Sequence, residues 1–167
     1  MGGLESLKFL NLSYCSSLGY LPEDLECLNN LEELDATGTG LRNTIPSVGD
    51  LKALHGWINI WNTIAGNGLS SAGLSCLEIL NLGGCGLRDG AFPGDFECLV
   101  SLEYLDLSWN EFSCLPARFN QLSKLKHLDL SHYPNLTSLG PELPDSLESI
   151  NVNDPEELHT VLDPLSQ

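Results

Sequence analysis

The chain has 167 residues, 42% of them hydrophobic, enough for one domain with a sizeable buried core. Asp and Glu number 23 against 7 Lys and Arg, a formal charge of −16 that repels phosphate backbones and anionic lipid and argues against nucleic-acid or membrane partners. No apolar run approaches the ~20 residues of a membrane span, and the start, MGGLESLKFL, has neither the basic nor the apolar region of a signal peptide.

One stretch sets the register. Leu102–Leu115 reads LEYLDLSWNEFSCL. It matches L-x-x-L-x-L-x-x-N/C-x-L, the leucine-rich repeat pattern. With the first leucine of each L-x-L pair as an anchor, anchors fall at Leu10, Leu34, Trp57, Leu80, Leu105, Leu128 and Ile150, spaced by 24, 23, 23, 25, 23 and 22 residues. Such regularity predicts an α/β solenoid, a leucine-rich-repeat horseshoe of about seven repeats. Its parallel sheet is concave and its convex segments are short and helical or irregular. No unit buries enough apolar surface to fold alone, so the units must stack.

The first unit runs from Leu4 through Leu12 to Cys15, followed by Pro22-Glu23-Asp24-Leu25. Proline suits the first position of a helical turn, and the acids suit its N-terminus. The start also fits the short acylation pattern M-G-x-x-x-S at Gly2 and Ser6. Leu4, Leu7 and Leu10 already belong to a repeat, however, and that reading is preferred. The second unit runs from Leu28 to Leu41. The third is degenerate, with Trp57 and Asn59 replacing the paired leucines. Asn62 keeps the register, although a slip to Ile58 and Ile60 would turn the strand over. A Gly- and Ser-rich loop is expected over Ala65–Gly73. The fourth unit begins at Leu74, the fifth is the opening stretch, the sixth begins at Leu122 and the last runs from Leu143 to Val152. Residues 1–152 thus form the repeat domain, and 153–167 an acidic tail or partial cap.

The position five residues after each anchor holds Cys15, Thr39, Asn62, Cys85, Asn110, Tyr133 and Pro155. There the side chain lies inside the turn, where an Asn amide satisfies backbone groups that no sheet ladder reaches. Cys fills the same place as a small hydrophobe. Cys15 and Cys85 are therefore read as core, and all six cysteines as reduced thiols whose spacing follows the repeat. Metal ligation and covalent catalysis are disfavoured, because C-x-x-C and H-x-x-x-H spacings do not occur.

Residues alternating with the anchors point to the concave face. Just before the anchors lie Phe9, Glu33, Ile79, Tyr104 and His127. Just after lie Asn11, Asp35, Asn81, Asp106 and Asp129. Four after lie Tyr14, Gly38, Trp61, Gly84, Trp109 and His132. Exposed aromatics beside carboxylates are common interface anchors. The partner-binding candidates are accordingly Tyr14, Glu33, Asp35, Trp61, Tyr104, Asp106, Trp109, His127, Asp129 and His132. The plainer alternative is that the LDLS repeats are structural and their Asp residues solvated. Asp106 and Asp129 would also allow acid–base chemistry, but an open sheet offers no deep pocket, so no catalytic residue is assigned. His127, Asp129 and His132 are read as surface residues in preference to metal ligands. No cofactor is expected.

The units LKFLNLSYCSSLGYLPEDLECLNNLEELDATGTGLR and CLEILNLGGCGLRDGAFPGDFECLVSLEYLDLSWNEFSCLPARFNQLSKLKHLDLSHYPNLTSLGPELPDSLESINV combine LxxLxxLxLxxC with LPxxLxxL. Over nearly the whole chain they resemble the leucine-rich repeats of plant intracellular disease-resistance receptors, the TIR–NB–LRR class. The NQLSKLKHLDLSHYPNLTSLGPELPDSL passage is similar to that class's closing repeats, which implies a slice from the C-terminal part of such a region. The resemblance implies a module that recognises a pathogen effector or a guarded host protein and helps hold the receptor off. Its partner would be one of those or the receptor's own nucleotide-binding domain, in the cytoplasm or nucleus. Two other readings are an extracellular repeat receptor binding a peptide or protein, and a purely structural intramolecular clamp. Thr44-Ile45-Pro46 and the sequons at Asn11 and Asn135 hint at the former, but Asn11 would lie mid-strand.

Overall fold

The computed structural model describes residues 4–18, 28–40, 75–88, 99–115, 118–133, 136, 138–139 and 142–152. Six strands of three residues each form one parallel sheet in chain order. They are β1 (Phe9–Asn11), β2 (Glu33–Asp35), β3 (Ile79–Asn81), β4 (Tyr104–Asp106), β5 (His127–Asp129) and β6 (Ser149–Asn151). The anchors stand in register: Leu10 opposite Leu34, then Leu80, Leu105, Leu128 and Ile150.

Three-residue strands are short, and the main chain lengthens the pairing beyond them. The Tyr14 amide donates to Thr37 O at 2.7 Å, Gly38 to Gly83 O at 2.8 Å, Gly84 to Ser108 O at 2.8 Å and Trp109 to Ser131 O at 3.0 Å. At the other end two successive amides share one carbonyl. Glu32 and Glu33 both donate to Lys8 O, Glu78 and Ile79 to Glu32 O, Glu103 and Tyr104 to Glu78 O, and Lys126 and His127 to Glu103 O. This is the pattern of a bulge, two residues facing one.

The inward residues build the core. Leu31, Leu34, Leu77, Leu80, Leu82, Leu102 and Leu107 are fully buried, and Leu105, Leu128 and Leu130 nearly so. Burial falls off at both ends of the stack, where Leu7, Leu10, Leu12, Leu147, Ile150 and Val152 are only partly covered. Phe9 is 62% exposed. This grading is what nearest-neighbour stacking produces. Of the expected convex segments, one turn of 3-10 helix at Phe119–Gln121 is described, and it buries Phe119 completely.

β2 is hydrogen-bonded directly to β3, with Leu34 opposite Leu80, so among the described residues the sheet passes straight from one anchor to the other and has six strands. The unit expected around Trp57 lies outside the described residues. Residues 41–74, including Trp61 and the loop expected at 65–73, lie outside the described residues, as do Cys27, Cys98 and the tail beyond Val152.

The turn-filling position behaves as a continuous hydrogen-bonded column. Three of its side chains donate back to the carbonyl two residues after the preceding anchor, and Thr39 Oγ1 lies 3.6 Å from Cys85 Sγ. Cys85 Sγ reaches Ala36 O at 3.1 Å, Asn110 Nδ2 reaches Leu82 O at 2.9 Å and Tyr133 OH reaches Leu107 O at 2.6 Å. Burial pushes the Cys85 and Tyr133 pKa values up, because both ionised forms would lose hydration there. Cys15 departs from the expectation and is exposed. Among the described residues no earlier repeat offers it a carbonyl or covers it. At about pH 8, iodoacetamide is therefore expected to label Cys15 quickly in the folded chain and to leave Cys85 unlabelled, by mass spectrometry of peptides. Equal rates at the two sites would contradict the buried position of Cys85.

Candidate functional site

Asn or Asp follows every described anchor, and the geometry gives the reason. Its Oδ1 accepts the amide two residues on: Asn11 from Ser13, Asp35 from Thr37, Asp106 from Ser108 and Asp129 from Ser131, at 2.7–2.9 Å. These are Asx turns, which need a short side chain with an oxygen at that distance. The second oxygens of Asp35 and Asp129 accept from the amide groups of Asn11 and Asn151. The Asp residues therefore shape the turn as well as charging the face. Asn81 differs, since its Oδ1 is buried without a hydrogen-bond partner.

The residue four after each of these anchors is left-handed, at Gly84 even without the Asx hydrogen bond. Tyr14, Gly38, Gly84, Trp109 and His132 have φ of 59°, 62°, 64°, 57° and 60°. Glycine takes this conformation freely, whereas an L-residue with a side chain pays about 1–2 kcal/mol. Tyr14, 77% exposed, lies across Gly38, where an added Cβ would stand 2.9 Å from its ring. Trp109, 62% exposed, stacks on His132 with ring centroids 3.8 Å apart and planes 20° from parallel. Three large rings thus occupy an energetically unfavourable backbone position at the surface.

At the other end of the strands, Tyr104 and His127 lie 6.4 Å apart between centroids, and His127 Nδ1 is 2.8 Å from Ser149 Oγ. Burial, and then Asp106 and Asp129, raise the Tyr104 pKa. Both residues border an open depression of about 490 Å³, shared with Glu78, Ile79, Asn81, Glu103 and Asp106. The bulge turns the residue two before each anchor outward as well. It creates a charged column that simple alternation conceals: Lys8, Glu32, Glu78, Glu103, Lys126 and Glu148. Lys8 pairs with Glu32 at 2.6 Å and Lys126 with Glu103 at 2.7 Å.

Of the ten sequence candidates, Tyr14, Trp109, His127 and His132 are exposed, and Glu33, Asp35, Tyr104, Asp106 and Asp129 are half-buried on the same sheet face. Trp61 lies outside the described residues. Trp109 and His132 are brought together, as are Tyr104 and His127, neighbours in the column just before the anchors. His127 and His132 sit on different columns, five residues apart, and among the described residues no three His, Cys, Asp or Glu side chains form a metal-holding group. Neither does any described helix have the length and apolarity to cross a membrane. Sequence reasoning missed the Lys8–Glu148 column, whose signal was a charge two residues before every described anchor.

Comparison with known proteins agrees with this geometry. The Leucine Rich Repeat family model matches residues 6–28 and 101–122. A leucine-rich-repeat protein of Leptospira interrogans has a similar structure, with a TM-score of 0.51 and 25% identity, covering 94% of this chain and 36% of that one. TMV resistance protein N of Nicotiana glutinosa is 38% identical over 156 residues, which is 90% of this chain. Disease resistance protein RPS4 of Arabidopsis thaliana is 34% identical over 154 residues, 91% of this chain. The chain spans 13% and 12% of the length of these two relatives. By its repeats, its sheet and these likenesses, the chain is a leucine-rich-repeat solenoid similar to the plant disease-resistance proteins of the TIR–NB–LRR class.

Proposed function

We propose that this solenoid is a protein-recognition surface of a plant immune receptor. It senses a pathogen effector or a guarded host protein through its concave face and helps hold the receptor off, in the cytoplasm or nucleus. It performs no catalysis of its own. The observation that carries the reading is the Trp109–His132 stack. Two exposed rings at left-handed backbone positions are disfavoured for folding. An exposed aromatic ring stacked on its neighbour is a common interface anchor. The likeness to disease-resistance proteins supplies the immune setting.

The test is expression in leaves of the full receptor that contains these repeats, challenged with a panel of effectors. Trp109→Ala and Trp109→Gly are both expected to weaken the response while leaving the far-UV spectrum of the chain unchanged. Their stabilities should differ in an unusual order. Trp109→Gly should exceed Trp109→Ala by about 1 kcal/mol in urea denaturation, because alanine keeps the left-handed penalty and glycine does not. A full response from both variants would overturn the reading.

A further inference from the structure

The depression beside Tyr104 carries a more specific inference about the partner, and it rests on the recognition reading above. The outward columns are strongly unbalanced in charge. Their two lysines are already taken, Lys8 by Glu32 and Lys126 by Glu103. Glu33, Asp35, Glu78, Asp106, Asp129 and Glu148 form no ion pair among the described residues. Within the depression Glu78 lies between the two paired glutamates on its column.

A second observation is independent of that charge. Asn81 borders the same depression, and its Oδ1 is buried without a hydrogen-bond partner, whereas the equivalent oxygens of Asn11, Asp35, Asp106 and Asp129 all accept an amide. An unmade buried acceptor costs free energy and marks a place where a donor is wanted. Beside it Asp106 uses Oδ1 for the Ser108 amide, and its Oδ2 has no hydrogen-bond partner among the described residues. Gly83 keeps the approach clear, since a Cβ there would stand 2.9 Å from Ser108 Oγ and 3.1 Å from Asp106 Oδ2. Ile79 and the Tyr104 ring supply apolar surface for a long stem and a π face for a cation.

We propose that this depression is a subsite for a cationic side chain, arginine foremost, delivered by an extended basic segment of the protein partner. A guanidinium is planar, carries five donors and stacks on aromatic rings, so it meets Asp106 Oδ2 and Glu78 while lying against Tyr104. Lysine offers a point charge with fewer donors in fixed geometry and ranks second.

The probe is a short peptide of alternating serine and arginine, followed by amide and Asn81 side-chain NMR shifts of the whole chain. Its twin with citrulline in place of arginine keeps the shape and removes the charge. Shifts are expected to gather on residues 78–83 and 103–106, and the citrulline peptide to bind about tenfold more weakly or worse. The pair Glu78→Gln and Asp106→Asn should weaken the arginine peptide by a similar factor; asparagine keeps the Asx turn, as Asn11 shows. The pair Glu5→Gln and Asp145→Asn removes as much charge from outside these columns and should leave binding unchanged. Equal loss with that control pair, equal binding of the citrulline peptide, or shifts spread over all acidic surfaces would overturn the subsite. Should the peptide fail while the Trp109 variants still lose their response, the cation chemistry falls and the recognition reading stands. Should the Trp109 variants respond fully, the recognition reading falls with it.

Discussion

Replacing Asn110 with alanine should destabilise the chain by about 3–5 kcal/mol, far beyond a typical polar-to-alanine change. The side chain is 1% exposed and works in every direction. Its Nδ2 donates to Leu82 O, Leu107 O and Ser108 O, and its Oδ1 accepts from the Leu87 amide at 2.8 Å. Leu107 O keeps Tyr133 OH, and Ser108 O keeps the Gly84 amide. Leu82 O and the Leu87 amide lose these contacts inside the core, where each unmet group costs about 1–3 kcal/mol. Asn110→Leu should fare no better, because it adds apolar volume and leaves the same two groups unmet. Urea denaturation checks both, and a loss below about 1 kcal/mol would show that water or a relaxed backbone takes over those bonds.

Gly40→Ala is the second large effect. Gly40 is half-buried, and its φ lies outside the left-handed region. The obstacle is spatial: an added Cβ would stand 2.0 Å from Ser16 O and 2.8 Å from Ser16 C. Both are backbone atoms, so no side chain can swing aside. The first repeat must move away from the second, which breaks the bond from the Gly40 amide to Cys15 O. A cost of about 2–4 kcal/mol is expected, in the upper range of overpacking. It should be local, because each repeat leans only on its neighbours. Hydrogen exchange should therefore show lost protection at Leu12 and Tyr14, with Leu105 and Leu107 unchanged. Uniform loss along the chain would mean that the stack unfolds as one unit.

Much of this architecture is legible in the amino acids. Leu31-x-x-Leu34 and Leu102-x-x-Leu105-x-Leu107 announce an inward face, and Asn110 announces its network, because only a short amide meets both donors and acceptors there. The direct pairing of β2 with β3 was not legible, because the even spacing of the anchors places a further unit between Leu34 and Leu80. Simple alternation also hid the Lys8–Glu148 column, since a period of two assigns those residues to the core and the shared carbonyls of the bulge turn them out. The left-handed column was half-visible: Gly38 and Gly84 hinted at its φ, and Tyr14, Trp109 and His132 disguised it. For the candidate site, the sequence located the face and several exposed rings. It read the Asp residues as contacts or solvated charges and missed their turn-forming role.

The direct pairing of β2 with β3 has a consequence for how the chain assembles. Elsewhere, neighbouring anchors are 22–25 residues apart; Leu34 and Leu80 are 46 apart. Closing a loop about twice as long costs roughly 0.6 kcal/mol more in chain entropy. The difference is small beside the contacts across that junction, but it falls on one seam of an otherwise even stack. Folding that starts in β3–β5, where the spacing is short and Leu80, Leu105 and Leu128 are buried, meets this longer closure on its way to β2 and β1. Each doubling of the chain between Leu34 and Leu80 should therefore weaken this one junction by a further ~0.6 kcal/mol, leaving the other junctions as they are.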